Sequence, residues 1–259
     1  MPRYLRAAAA LVVALATINA FAHGEKGAEV PDGWSGSLAA GYVATSGNSD
    51  NSTANLQGEV KLDQGRWHHS ALATGLGSSA DNDSTAEAYK AQLKSKYDLN
   101  DTIYLFGLAE YNKDRFSAYD HQIFEAAGLG WRVYRSTTQE LNLEAGVGAT
   151  QSKLAQLDVC GVDPDPPCLT SSERDAGGFI GRLGADYHWH LSETALFSQK
   201  LSSTIGSDNT YLESLTELQA NVVGNLALVL GYLVKYNTDV KGDVDDTDTQ
   251  TSISLKYTF

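Results

Sequence analysis

Residues 249–259 read Thr-Gln-Thr-Ser-Ile-Ser-Leu-Lys-Tyr-Thr-Phe. Thr249, Thr251, Ile253, Leu255, Tyr257 and Phe259 fall on one side of an extended chain. Gln250, Ser252, Ser254, Lys256 and Thr258 fall on the other. In a strand successive side chains point to opposite faces, so this period of two is a strand with one apolar and one polar face.

The same alternation recurs backwards through the sequence. Leu226, Leu228, Leu230, Tyr232, Val234 and Tyr236 share a face whose reverse carries Gly231, Lys235 and Asn237. Phe179, Gly181, Leu183, Ala185, Tyr187 and Trp189 oppose Ile180, Arg182, Asp186 and His188. Tyr89, Ala91, Leu93 and Tyr97 oppose Lys90, Gln92, Lys94 and Lys96. Leu56 and Val60 oppose Gln57, Glu59 and Lys61. Twelve such segments are expected, near 34–44, 53–63, 67–76, 88–99, 102–112, 122–134, 140–150, 177–189, 194–202, 214–222, 226–237 and 249–259. In the third, fifth, sixth and ninth both faces hold apolar residues, and pattern alone does not orient them.

The connections between segments alternate as well. Residues 63–66, 99–102, 135–139, 190–193 and 223–225 are short. Residues 45–52, 77–88, 113–121, 151–175, 203–213 and 238–248 are long and polar. Short turns on one rim and long loops on the other are the layout of an up-and-down transmembrane barrel, with an even strand count and both ends on the short-turn side. The predicted fold is therefore all-β: a closed antiparallel transmembrane β-barrel of about twelve strands.

A soluble sandwich or lipocalin-like barrel would show the same periodicity with the faces reversed. The aromatic residues distinguish the two. Trp34, Trp67, Trp131 and Trp189 all fall at the short-turn rim, joined by Tyr97, Tyr104, Tyr134, Tyr187, Tyr257 and the final Phe259. Tyr42, Tyr89, Tyr111 and Tyr236 fall near the other rim. Membrane–water interfaces select such bands, because an amphipathic ring suits the headgroup level. A soluble core has no reason to confine tryptophan to one rim.

The N-terminus fits export. Arg3 and Arg6 precede the apolar run Ala7–Ala16, and Ala20-Phe21-Ala22 fits the small-x-small cleavage rule. Ten apolar residues are too few for a spanning helix. The expected organisation is a cleaved signal over 1–22, a short periplasmic segment over 23–33 and the barrel over 34–259.

The formal net charge is −13. That argues against nucleic acid, which needs clustered Lys and Arg, and against binding at an anionic membrane surface. The six long connections hold 18 acidic and 5 basic residues, which puts most of the acidity on the outer rim. The wall is balanced. Its charges Glu59, Lys61, Lys90, Lys94, Lys96, Glu144, Arg182, Asp186, Lys235 and Lys256 are expected to face the lumen as a paired network, since a Lys or Arg facing lipid near the midplane costs about 2–4 kcal/mol. Such a network either fills a narrow barrel or lines a weakly selective channel.

Other chemistry finds little support. Cys160 and Cys168 share the longest connection, and in an oxidising compartment a disulfide between them is expected. His68 and His69, and His188 and His190, lie at the short-turn rim without a third ligand at metal-site spacing. The acidic runs 81–83 and 243–248 lack the calcium-loop pattern and read as solvated loop charge. His121, with Asp114, Asp120 and Glu125 near it in sequence, does not form a nucleophile–base–orienter set, and no G-x-S-x-G, H-E-x-x-H or P-loop occurs. No cofactor and no metal are expected.

Several motifs together resemble a known family. They are Gly41-Tyr42-x-x-Thr45-Ser46-Gly47-Asn48-Ser49, Tyr111-x-x-Asp114-x-Phe116, Gly128-Leu129-Gly130 and Leu141-x-Leu143-Glu144-x-Gly146-x-Gly148. Their order is similar to that of the salt-induced outer-membrane protein family, over most of 34–259. The resemblance implies a bacterial outer-membrane barrel linked to salt or osmotic response, and it supplies no catalytic residues. The 151–175 connection is longer than that family's usual one. The terminal aromatic, Phe259, resembles the signal by which such barrels meet their assembly machinery. The expected partners are that machinery, outer-membrane lipid and lipopolysaccharide. The expected role is a non-enzymatic envelope protein of osmotic-stress type, with a small-solute or ion diffusion channel as the alternative and a lipid or peptide hydrolase as the third reading.

Overall fold

The structure is a computed structural model that describes residues 33–45, 51–80, 83–114, 119–154, 158–159, 169–170, 175–207, 209–238 and 246–259. The expected signal segment, the Cys160–Cys168 bridge and most of the two acidic runs lie outside the described residues. The chain divides into two compact units, Met1–Trp34 and Ser35–Phe259.

Fourteen strands follow one another. They are β1 (Trp34–Thr45), β2 (Asn51–Gln64), β3 (Trp67–Ala80), β4 (Asp83–Asp98), β5 (Ile103–Asp114), β6 (Tyr119–Arg135), β7 (Gln139–Leu154), the short pair β8 (Asp158–Val159) and β9 (Leu169–Thr170), then β10 (Asp175–His190), β11 (Ala195–Ile205), β12 (Thr210–Val223), β13 (Leu226–Asn237) and β14 (Thr247–Thr258). Twelve form one closed barrel in the order β1-β14-β13-β12-β11-β10-β7-β6-β5-β4-β3-β2, and β8–β9 is a separate two-stranded ribbon. The twelve barrel strands are the twelve segments expected from the alternation. Closure leaves no unpaired edge, as backbone in hydrocarbon requires. The last seam joins β14 to β1, with Leu255 opposite Ala40 and Thr258 opposite Ser37. Beyond it Phe259 and Gly36 exchange two backbone hydrogen bonds of 2.9 Å.

The turns on the short-turn rim are built by their own residues. Gly65 and Gly224 take positive φ, 61° and 52°, in the β2–β3 and β12–β13 hairpins. Asn100 Oδ1 accepts from the Thr102 and Ile103 amides, at 2.9 and 2.8 Å, between β4 and β5. Ser136 Oγ accepts from the Gln139 amide at 2.9 Å between β6 and β7.

On the other rim the strands run further than the sequence pattern implies. Residues 77–80 and 83–88, read as loop, belong to β3 and β4, and 203–205 and 210–213 belong to β11 and β12. Ser52–Ser79 and Thr53–Ser78 pair hydroxyls at 2.9 Å there. Where a hairpin stands in water on both faces, hydrophobic alternation disappears although the ladder continues.

The faces are arranged as a membrane wall demands. Leu56, Leu93, Leu105, Leu129, Val147, Phe179, Leu183, Leu201, Leu218, Leu228, Leu230, Ile253 and Leu255 are exposed on the outside, Phe179 by 92%. Such a band exceeds what a soluble monomer exposes. Trp34, Trp67, Trp131 and Trp189 are all exposed, and each stands at the short-turn end of its strand. Trp67 packs on Tyr97 at 4.9 Å between ring centroids, and Tyr187 on Phe197 at 6.3 Å. Tyr104 departs from its expected place in this girdle. It is only 1% exposed, and its hydroxyl bonds a lumen carboxylate (below). The inside holds small and polar residues, Ser37, Asn142, Ser152, Ser198, Thr204 and Ser254 among them, beside one apolar cluster of Tyr104, Phe106 and Leu108.

Candidate functional site

The expected site is the lumen, and its charges lie in two tiers. The inner tier is centred on Glu144, on β7. Lys94 Nζ, on β4, donates to Glu144 Oε2 at 2.5 Å. Tyr104 Oη, on β5, donates to Glu144 Oε1 at 2.8 Å. Lys96 Nζ lies 3.6 Å from the same oxygen and 4.8 Å from the Tyr104 ring centroid. Arg132 covers that ring from 5.0 Å and donates to Asp98 Oδ1 at 2.7 Å. Asp98 Oδ2 also lies 3.1 Å from His68 Nε2, whose Nδ1 is 2.6 Å from Asp63 Oδ1. Asp186 lies 2.9 Å from His188 Nε2. Two of the rim histidines, His68 and His188, are thus held by carboxylates.

The outer tier binds four charges from four strands: Lys90 (β4), Glu110 (β5), Arg182 (β10) and Glu213 (β12). Lys90 Nζ lies 3.1 Å from Glu213 Oε1 and 3.4 Å from Glu110 Oε1. Arg182 Nη2 lies 3.8 Å from Glu110 Oε2, and Arg182 Nη1 donates to Thr204 Oγ1 at 2.9 Å. Glu110 is 3% exposed. It also accepts from Gln92 Nε2 at 2.7 Å and Asn112 Nδ2 at 2.8 Å. Glu213 accepts from Tyr211 Oη at 3.1 Å. Two cations and two anions therefore cancel, and their remaining lone pairs are filled by hydrogen bonds, as buried charge requires.

The position of this tier matters more than its strength. In the twelve-strand ring β4 is six places from β12 in either direction. The Lys90–Glu213 contact consequently runs across the lumen between opposite walls. Arg182 and Glu110 add a shorter bridge, from β10 to β5, which lie three places apart in the ring.

The remaining expected lumen charges are placed as follows. Glu59 pairs with Lys61 at 3.3 Å along β2. Lys235 lies in cross-strand register between Glu213 and Asp248. Lys256 is acted on by the opposite charges of Glu217 and Glu59. By strand alternation the ten expected residues share the faces opposite the exposed Leu56, Leu93, Leu143, Leu183, Leu230 and Leu255. Reading the sequence missed Glu110, Glu213 and Tyr211. Glu213 fell in a stretch taken for loop. Glu110 sits on β5, where Tyr104, Phe106 and Leu108 precede it on the inner face and hide the polar side of the alternation. His121 stacks on Tyr111 at 5.9 Å.

Comparison with known proteins places this architecture. A sequence profile described as "Protein of unknown function, DUF481" matches residues 38–259. The chain belongs to that family. It is 27% identical over 230 residues to "Uncharacterized protein YdiY" of Escherichia coli (strain K12), covering 86% of this chain and 82% of that one. Among solved structures it resembles the translocator domain of the autotransporter NalP from Neisseria meningitidis, with TM-score 0.53, 12% identity and 97% of each chain covered. It is also similar to the COG4313 outer-membrane channel of Pseudomonas putida F1, with TM-score 0.46, 12% identity, and 88% and 96% covered. At these identities the NalP likeness concerns the fold, and that fold is one used by outer-membrane barrels.

Proposed function

We propose that the chain is a non-enzymatic bacterial outer-membrane barrel of envelope or osmotic (salt) stress type, whose lumen is closed by its own side chains. The observation that carries this reading is the Lys90–Glu213 contact between opposite strands, reinforced by Arg182–Glu110. A cross-lumen tier of paired charge leaves the pore without a continuous wide path, and ionic pairing inside a low-dielectric wall is hard to break without supplying a replacement partner. The family resemblance, with its order of glycine motifs, supports the osmotic role.

Planar-bilayer recording tests it. The wild-type protein is expected to give no stepwise conductance, and the Lys90→Ala/Glu213→Ala double variant to give steps. Steps from the wild type would favour the second reading, a diffusion channel for small solutes or ions. The outer tier would then be the constriction that sets selectivity. Growth of a strain lacking the protein in high-salt medium tests the stress role: an unimpaired strain would remove it. Lipase and protease assays in detergent, with His121→Ala as control, test for hydrolytic activity.

A further inference from the structure

The short-turn end of the barrel carries a depression of about 380 Å³, within the size range of small-ligand sites. It lies where the ends of β6, β7, β10 and β11 meet. Arg135, Glu140 and His190 line it, with the hydroxyl side chains of Thr137 and Thr138 and the aliphatic Leu196. Its frame is fixed by backbone. Ser136 N donates to Gln139 O at 2.7 Å within the β6–β7 turn. His190 N donates to Thr138 O at 2.7 Å and ties that turn to the end of β10.

The two charges here differ from those deeper in the lumen. Lys61, Lys90, Lys94, Lys96, Arg132 and Arg182 each have a carboxylate partner. Arg135 and Glu140 face each other across the β6–β7 ladder, a position in which opposite charges ordinarily pair. Among the described residues neither joins an ion pair. The ladder register slips between Arg132 and Tyr134, and such a bulge re-aims the side chains beside it. Arg135 stands exposed and Glu140 half-buried. Glu140 Oε1 accepts from Asn142 Nδ2 at 2.9 Å, and Glu140 Oε2 has no partner among the described residues. The imidazoles do not make a metal centre. His188, opposite Glu140 in the β7–β10 ladder, is turned to Asp186, and no three metal-ligating side chains converge among the described residues.

An unpaired guanidinium beside an unpaired carboxylate suits a ligand that carries both opposite charges. A simple anion would meet Arg135 but be repelled by Glu140, and a simple cation the reverse. A guanidinium fork takes a carboxylate through two parallel N–H···O bonds. Glu140 Oε2 accepts from an ammonium. The Thr137 and Thr138 hydroxyls can donate to, or accept from, an amide between the two ends. Leu196 offers an apolar contact for a side chain.

We propose that this depression binds a small zwitterion, an amino acid or short peptide with free amino and carboxyl ends. Arg135 holds the carboxylate and Glu140 the ammonium. The site lies on the short-turn side of the Lys90–Glu213 tier, so it stands whether or not the lumen conducts. Isothermal titration of the folded barrel in detergent tests it, with the dipeptide glycylleucine as probe. The wild type is expected to bind it saturably in the millimolar range. The N-acetylated and C-amidated dipeptides should bind about tenfold more weakly, each having lost a charge-assisted contact. Arg135→Gln should no longer distinguish the dipeptide from its amide, and Glu140→Gln should no longer distinguish it from the acetylated form. Arg66→Gln removes a guanidinium from the β2–β3 turn on the same rim, β3 being three places from β6 in the ring, and should change none of these affinities. Heat-modifiable migration on gels confirms that each variant is folded. Should one variant fail to fold, the other variant and the blocked dipeptides decide. Absence of binding, equal binding of the blocked dipeptides, or discrimination unaltered in the folded variants overturns the proposal. So does an equal loss in Arg66→Gln, which would reduce the effect to general rim charge.

Discussion

Single residues decide how the lumen is filled. The Tyr104 ring lies over Gly130, where an added Cβ would collide with the ring carbons. The missing side chain on β6 is the space that the β5 aromatic occupies, an arrangement that also protects a glycine in a sheet. Gly130→Ala is therefore expected to destabilise the barrel by about 1–3 kcal/mol, the usual cost of overpacking. In the Tyr104→Ala background the same change should cost far less. Urea titration followed by heat-modifiable migration measures both, and additive effects of the two substitutions would refute the packing account. Glu110 tests the electrostatics. Glu110→Ala strips the shared partner from Lys90 and Arg182 and is expected to cost on the order of 3 kcal/mol in the same titration. A neutral result would mean that water screens the tier.

At the scale of strands and hairpins, legibility followed the solvent on each side. The last strand could be read directly, because Ile253 and Leu255 face lipid while Ser254 and Lys256 face the lumen. The fifth could not, because Tyr104, Phe106 and Leu108 fill the interior opposite Ile103 and Leu105 on the outside. A strand with apolar groups on both sides loses its period, and the buried Glu110 went unseen with it. The upper ends of β2, β3 and β4 failed for the opposite reason, having water on both sides. Their position yields a topology prediction. In a background lacking Cys160 and Cys168, Ser84→Cys on the upper part of β4 should react with a membrane-impermeant maleimide on intact cells. Ser192→Cys, in the β10–β11 turn, should react only after the outer membrane is opened. The reverse pattern would invert the barrel.

For the molecule as a whole, the tier that joins opposite walls separates closure from stability. Removing both Lys90 and Glu213 deletes a buried pair without leaving either charge alone, and such double replacements are often near neutral. The double variant should therefore remain a heat-modifiable barrel, with an unfolding midpoint close to that of the wild type, while gaining conductance. If its unfolding midpoint drops as far as that of Lys90→Ala alone, the contact is a structural brace more than a closure. Raising salt from 0.1 to 1 M shortens the screening length from about 10 to about 3 Å. A closure that depends on water-accessible charge should then loosen, so any residual single-variant current should rise faster than bulk conductivity.

The tryptophans give the molecule an optical label at one depth. All four stand at the same end of their strands, so indole emission reports a single leaflet rather than an average over the wall. Lipids brominated near the headgroup should quench that emission strongly, and those brominated at the chain ends hardly at all. During refolding onto preformed vesicles, quenching in the leaflet of entry should develop in one phase and persist, because the short-turn rim stays behind while the long hairpins cross.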